Sequence, residues 1–340
     1  MRNKEKLERG EVAEVIKKNF LQNSYVLDYN KRSHFMVRVY RATGDEKVFN
    51  PIVEKLLIDK ENFLEDLKKI EDKKYREERG KELQKKREKE VKSKGKKYRE
   101  RKKLFIKEPQ HLFYYNLITS LYFWKQFGIN RGKMKKLWEK GIKFLKNIKG
   151  SGEFKEFILG KGMVTHFGTQ LVNCVYYLKF LGVIDLEKEF RERFREIFFG
   201  GKNLSDYLYK NKIYGLTHFI IAATNYYQKY ISREGFEWIL DYFKENIMEI
   251  IERTNVDIVS EVGLCFKLCK EKAKEVDEKV WIEIKNNFEE ELGYIPRKDK
   301  SLNSSEHCNS VAYLFLVGQD KLRIGPDLCQ KFEEKIQDGL

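Results

Sequence analysis

The chain has 340 residues, with 69 Lys and Arg against 53 Asp and Glu, a formal net charge of +16 and 41% hydrophobic residues, which is enough to bury one large core or two small ones. Only four prolines and no run of β-branched alternation argue against an all-β domain, and the lack of eighteen consecutive apolar residues argues against a membrane-spanning helix. Five cysteines, an odd number in a long chain, do not read as a disulfide framework.

The opening MRNKEKLERGEVAEVIKKNF holds no apolar signal core, so the expected location is cytoplasmic. The first apolar, aromatic segment of helical character is HFMVRVYRATGD, beginning at His34. A charged run over 72–103 follows, and then four more such segments begin at histidines: HLFYYNLITSLYFW at His111, HFGTQLVNCVYYLKFLG at His166, HFIIAATNYYQKY at His218 and HCNSVAYLFLVGQ at His307. EVGLCFKLCK, beginning at Glu261, completes the set. Between them lie one-sided amphipathic stretches over 132–148 (apolar at Met134, Leu137, Trp138, Ile142 and Leu145), 186–199, 235–251 and 276–292.

All five histidines and Glu261 thus open equivalent segments, at intervals of 77, 55, 52, 43 and 46 residues. That spacing fits two helices and two turns, as in helical-hairpin repeats. The expected fold is all-α and one domain, with nearly all-apolar inner helices alternating with amphipathic outer ones. Three segments divide it: 1–71 as the first hairpins, 72–103 as an insertion, and 104–340 as the remaining hairpins.

The insertion carries seventeen Lys or Arg against seven Asp or Glu, so most of the net charge belongs to it. With few apolar residues it is expected to add little to a core and to be a solvated helical extension or a mobile loop. The other reading is a patch for polyanions, which contacts nucleic acid or an acidic partner. Tyr75 and Tyr98 are too few for base stacking.

If inner helices run parallel, the residues that open them gather at one mouth. Neighbouring imidazoles can then share a zinc ion, for which His166, His218 and His307 are the candidate ligands. A metal-free alternative is acid–base catalysis, in which one histidine removes a proton from one face of a sugar ring and another returns a proton to the other face. The expected catalytic set is His166, His218, Glu261 and His307; the expected substrate contacts are His34, His111, Tyr214, Asn225, Tyr226 and Asn309. Gln170 and Thr224 are polar interruptions of apolar helices that need partners, and Asn173, seven residues after His166, shares its face and is placed to contact a ligand or a neighbouring helix. A histidine near a helix start also serves simply to cap backbone groups.

The phrase HFMVRVYRATGDEKVFNPIV resembles the inner-helix, turn, outer-helix unit of α/α toroids, the six-hairpin barrels of many carbohydrate-active enzymes and several cyclases. YGLTHFIIAATNYYQ and DIVSEVGLCFKL are similar to an uncharacterised family of bacterial all-helical domains, over about the last two thirds of the chain. Lanthionine cyclases of the toroid class hold zinc with a Cys and a Cys-His-Gly motif, whereas here the order is Glu306-His307-Cys308-Asn309 and the Gly is absent. Inverting toroid glycosidases use two carboxylates; the resemblance implies Glu261 as one of them, with Asp257, Glu306 or neither as its partner. Toroid epimerases and lyases pair His with Tyr or a carboxylate. The resemblance therefore implies a cytoplasmic enzyme acting on a saccharide-like or peptide substrate in a His-, Glu- and Tyr-lined cavity. The alternative is a non-catalytic scaffold whose basic arm holds nucleic acid or an acidic partner.

Overall fold

The computed structural model describes residues 8–90, 95–201, 203–318 and 321–337. Over these the chain is all-α, and the only extended pairing among the described residues is a single bridge between Glu289 and Tyr294. The helices are α1 (Arg9–Gln22), α2 (Tyr29–Thr43), α3 (Phe49–Lys68), α4 (Lys73–Glu90), α5 (Lys96–Lys107), α6 (Gln110–Gln126), α7 (Lys135–Ile148) and α8 (Gly152–Leu159). The chain continues through α9 (Lys161–Phe180), α10 (Glu187–Phe199), α11 (Asp206–Ala223), α12 (Glu237–Arg253), α13 (Val256–Leu268), α14 (Lys274–Asn287), α15 (Leu302–Val317) and α16 (Cys329–Gln337).

The expected alternation of apolar and amphipathic helices is present. α10 buries only Phe190, Phe194 and Phe198, one residue per turn, while α13 buries every residue from Val256 to Phe266. No described helix is long and apolar enough to cross a membrane. The contacts fall into two compact units, Met1–Lys55 with Ile220–Pro326 and Leu56–Phe219 with Asp327–Leu340, a division that the sequence pattern does not announce.

In the first unit α15 packs on α1, α2 and α13, and α13 packs on α12 and α14. Phe20 of α1 stacks on Phe35 of α2 with ring centroids 4.7 Å apart, and Tyr294 and Tyr313 close round them. Gly263 of α13 lies where a Cβ would come within 2.7 Å of Phe315 and 2.9 Å of Val280, so only Gly lets α13 settle between α14 and α15. α11 ends in three consecutive residues of left-handed backbone, Asn225, Tyr226 and Tyr227, at φ 54°, 58° and 66°. This conformation is costly for side chains with a Cβ and persists only where neighbours hold it. Here Arg41 donates to the Tyr226 carbonyl at 2.6 Å, Gln228 Nε2 to the Asn225 carbonyl at 2.6 Å, and the Tyr227 amide to Thr224 Oγ1 at 2.9 Å.

In the second unit α9 is central, packed by α5, α6, α8 and α10, and α4 lies along α6. The charged segment over 72–103 is helical, as α4 and α5, with 91–94 outside the described residues. Its helical character is as expected, but α4 is packed along α6 and does not stand free in solvent. Gly80 abuts the start of α6, where any Cβ would collide with the Pro109 carbonyl oxygen. Arg76 is buried, donates to the Ile70 carbonyl at 2.8 Å and lies over the Phe144 ring, and the Arg87 guanidinium lies over Phe105, Tyr115 and Phe167. Flat guanidinium groups and long alkyl stems cover aromatic surface here, which a count of apolar residues does not register.

Candidate active site

α2, α13 and α15 adjoin in the first unit, α15 touching both of the others, and each begins at a side-chain cap. Asp28 accepts from the Lys31 amide, Asn255 from the Ile258 amide and Ser301 from the Ser304 amide. His34, Glu261 and His307 each come six residues after their cap, so the three occupy the same position in the second helical turn. His166 stands six residues after Gly160, the residue before α9, in the second unit. His111 is only two residues past Pro109, and His218 is deep in α11 rather than at its start, because the polar stretch before it is itself helical.

The shared register brings two imidazoles face to face. His34 and His307 stack with ring centroids 5.4 Å apart and planes inclined by 21°. His34 Nδ1 lies 2.7 Å from Glu306 Oε1, and His307 Nδ1 lies 2.7 Å from Asp257 Oδ1. The other oxygen of Asp257 accepts from Arg297 Nη2 at 2.6 Å, and Glu261 Oε1 is 3.8 Å from His307 Nε2. Arg38, four residues after His34, donates to the His34 carbonyl at 3.2 Å and rests its guanidinium over the Tyr227 ring. The carboxylates of Glu306, Asp257 and Glu261 are almost wholly buried, whereas the two imidazole side chains keep 34% and 36% of their surface. Both imidazoles are therefore partly open to solvent while their carboxylate partners are not.

The surroundings push the two imidazoles apart. Burial, with Arg38 beside it, lowers His34 to about 4 against the pull of Glu306. Burial also acts downward on His307, but Asp257 and then Glu261 outweigh it and lift that imidazole to about 9. Burial would raise Glu306, yet His34, Arg38 and His307 hold it below the usual carboxylate value. At neutral pH His34 is thus uncharged, donates Nδ1–H to Glu306 and carries its lone pair on Nε2. His307 is an imidazolium, with Nδ1–H given to Asp257 and Nε2–H directed to the Glu261 side.

Asp257, Glu261 and His307 offer ligand atoms that lie within 4.8 Å of one another. The two carboxylates nevertheless address different nitrogens of one ring, and Arg297 takes the second oxygen of Asp257. Three carboxylates are matched by Arg38, Arg297 and the His307 imidazolium, so the set fits a bound proton better than zinc.

The remaining expected residues are held elsewhere. In the second unit His166 Nδ1 is 3.1 Å from Tyr207 Oη, His218 Nδ1 is 2.7 Å from Asn173 Oδ1 with Tyr214 next to its ring, and His111 is buried beside Phe157. In the first unit Asn225 and Tyr226 form the left-handed turn. Asn309 is fully buried and ties the backbone of Ile295 through both its amide and its carbonyl, a structural role in place of the substrate contact expected for it. Arg38 and Arg297 are not among the expected residues. The legible signal for Arg38 is a charge on an apolar helix face four residues after a histidine, since a buried charge needs a partner.

No curated relative and no solved structure matches the chain. A family model does, over residues 9–337, where the resemblance had implied about the last two thirds of the chain. By that match the protein belongs to the family described as Domain of unknown function (DUF3541).

Proposed function

We propose that this protein is an enzyme that moves protons on a polar substrate, saccharide-like or peptide, with His34 as proton acceptor and His307 as proton donor. The observation that carries this reading is the stacked pair of imidazoles whose environments drive their protonation in opposite directions. Two titratable groups separated in this way are the ordinary mark of an acid and a base sharing one site. A base at about 4 has the strength of a carboxylate, and a donor at about 9 also serves to stabilise negative charge developing on oxygen.

The geometry favours one edge over two faces. A sugar ring between two imidazoles needs about 7 Å, two contact distances of about 3.5 Å, and the rings are 5.4 Å apart. In this reading the substrate therefore lies against the open edge of the stacked pair, with His34 Nε2 as acceptor and with Glu261, 3.8 Å from His307 Nε2, beside the donor. That suits elimination or cleavage of an acyl or glycosyl bond, in which a proton leaves one atom and another reaches the departing oxygen or nitrogen nearby. The register shared by His34, His166, Glu261 and His307 supports the repeat pattern of α/α toroids, the class whose lyases and hydrolases act on such substrates.

The test is turnover of a panel of oligosaccharides and peptides in deuterated water, followed by mass spectrometry. Cleavage or deuterium uptake is expected for the parent protein, with a loss of about a hundredfold or more in His34→Asn and in His307→Gln. Turnover by either variant equal to that of the parent, or none by the parent, contradicts the assignment.

A further inference from the structure

The second unit holds a cavity of about 630 Å³ that the acid–base pair does not use. Its walls are the first half of α4, the junction of α5 with α6, and the start of α8. Small-molecule sites run from about 300 to 1,000 Å³, so the space suffices for a ligand, and its lining is mainly charged.

His111 lines this cavity although the residue is only 2% exposed, with its ring against Phe157. Burial lowers its pKa against the pull of Glu108 and Glu153, and the ring donates to the Glu153 backbone carbonyl. A neutral imidazole has a single N–H, so the second nitrogen carries a lone pair, for which the described residues supply no donor.

Four carboxylates and three ammonium groups share the walls. Glu108 and Glu153 stand at the starts of α6 and α8, where the helix dipole favours negative charge, but Glu77 and Glu156 lie in the second turns of α4 and α8 without that support. Glu153 accepts from the Tyr114 hydroxyl, on which Arg76 also acts, so Arg76 balances it in part. Glu108 takes a neutral donor, Gln110 Nε2 at 2.9 Å.

Lys73, Glu77 and Lys81 recur every four residues along α4, a spacing at which opposite charges ordinarily join. Lys74 and Glu78 on the neighbouring stripe do so, at 3.9 Å. Among the described residues the three that face the cavity are in no ion pair, and neither are Lys107, Glu108 and Glu156. With Glu153 set against Arg76, three carboxylates and three ammonium groups are left around one space. A polyamine there is repelled by the lysines, and a phosphate by the carboxylates. A ligand with one charge of each sign satisfies both sets, and an α-ammonium also has an N–H for the lone pair of His111.

We propose that the cavity between α4, α6 and α8 binds a small zwitterion, an amino acid or short peptide, with its ammonium toward His111 and Glu108 and its carboxylate toward Lys73 and Lys81. This site lies within the second unit and does not rest on the acid–base reading.

Calorimetric titration of the full chain with trialanine and with each free amino acid tests it. One saturable site per chain is expected for at least one of these zwitterions. Its N-acetyl and amide forms, which each lack one charge, should bind at least about tenfold more weakly. Lys73→Gln/Lys81→Gln should weaken binding to the same degree, and because both positions are exposed the core is left undisturbed. Lys74→Gln/Glu78→Gln, on the neighbouring stripe, is expected to leave the affinity within about twofold. The proposal is overturned if no zwitterion saturates, if the capped forms bind as tightly as the uncapped one, or if the two double variants weaken binding equally. Saturation by spermidine or by inorganic phosphate in place of a zwitterion also overturns it.

Discussion

His34 and His307 stack at 5.4 Å, yet each is anchored through Nδ1 by a different buried carboxylate, Glu306 for one and Asp257 for the other. Two positive rings at that separation would repel by about 3 kcal/mol at an effective dielectric constant of about 20, so the pair favours a single charge. His307 takes it because Asp257 and Glu261 both face its ring, while His34 has Arg38 next to it.

Asp257→Asn is expected to lower the His307 pKa by more than a unit and to leave Arg297 without its 2.6 Å partner. The loss of stability should be about 1–3 kcal/mol, since Arg297 and His307 are both partly exposed and water replaces some of the interaction. Urea unfolding with a histidine titration by NMR measures both effects, and an unchanged His307 pKa would show that Asp257 is not its principal partner.

Arg38→Met is expected to move the His34 pKa upward, because it removes the cation and leaves burial and the His307 charge as the downward influences. The same substitution takes the guanidinium from the Tyr227 ring, so the left-handed turn should gain mobility in hydrogen exchange. A His34 pKa that stays or falls contradicts the role given to Arg38.

The two histidines set opposite pH limits on stability. His34, lowered in the fold from 6.5 to about 4, contributes stability that is lost as pH falls from 6.5 through about 4. His307, raised to about 9, contributes stability that is complete below 6.5 and lost as pH rises through about 9. Urea midpoints should therefore peak near pH 6.5 and decline on both sides, with the acid limb flattened in His34→Asn and the alkaline limb flattened in His307→Gln. Limbs unaltered by these substitutions would assign the pH dependence to other groups.

Gly80→Val is expected to destabilise the protein by about 1–3 kcal/mol, the usual range for overpacking, because its side chain meets the backbone of Pro109. Lys81→Ala, at an exposed neighbouring position, should change stability by less than about 0.5 kcal/mol. A Gly80→Val protein as stable as the parent would mean that α4 is not docked on α6.

The all-α fold, the family likeness and the alternation of buried and amphipathic helices were legible because a one-residue-per-turn stripe such as Phe190, Phe194 and Phe198 survives in the sequence. Of the six residues read as equivalent, His34, Glu261 and His307 stand at a common distance from Asp28, Asn255 and Ser301, whereas His111 and His218 take other positions in their helices. The buried partners were less legible. Asp257 and Glu306 were noticed only as alternatives, because sequence spacing does not reveal which helices adjoin. The start of α11 was hidden by Asp206, Lys210 and Lys212, whose charges look like a connection when they are one part of a helix. The docking of α4 was hidden because arginine stems and guanidinium planes, as at Arg76 and Arg87, stand in for apolar residues.

Nitrogen-15 NMR of the histidine rings across pH measures the protonation of each imidazole and the tautomer of the neutral form. At neutral pH His34 should be uncharged with its proton on Nδ1, and His307 should be doubly protonated, with midpoints near 4 and near 9. Two rings that titrate together close to 6.5, or a His34 proton found on Nε2, would contradict an acid–base pair at this site.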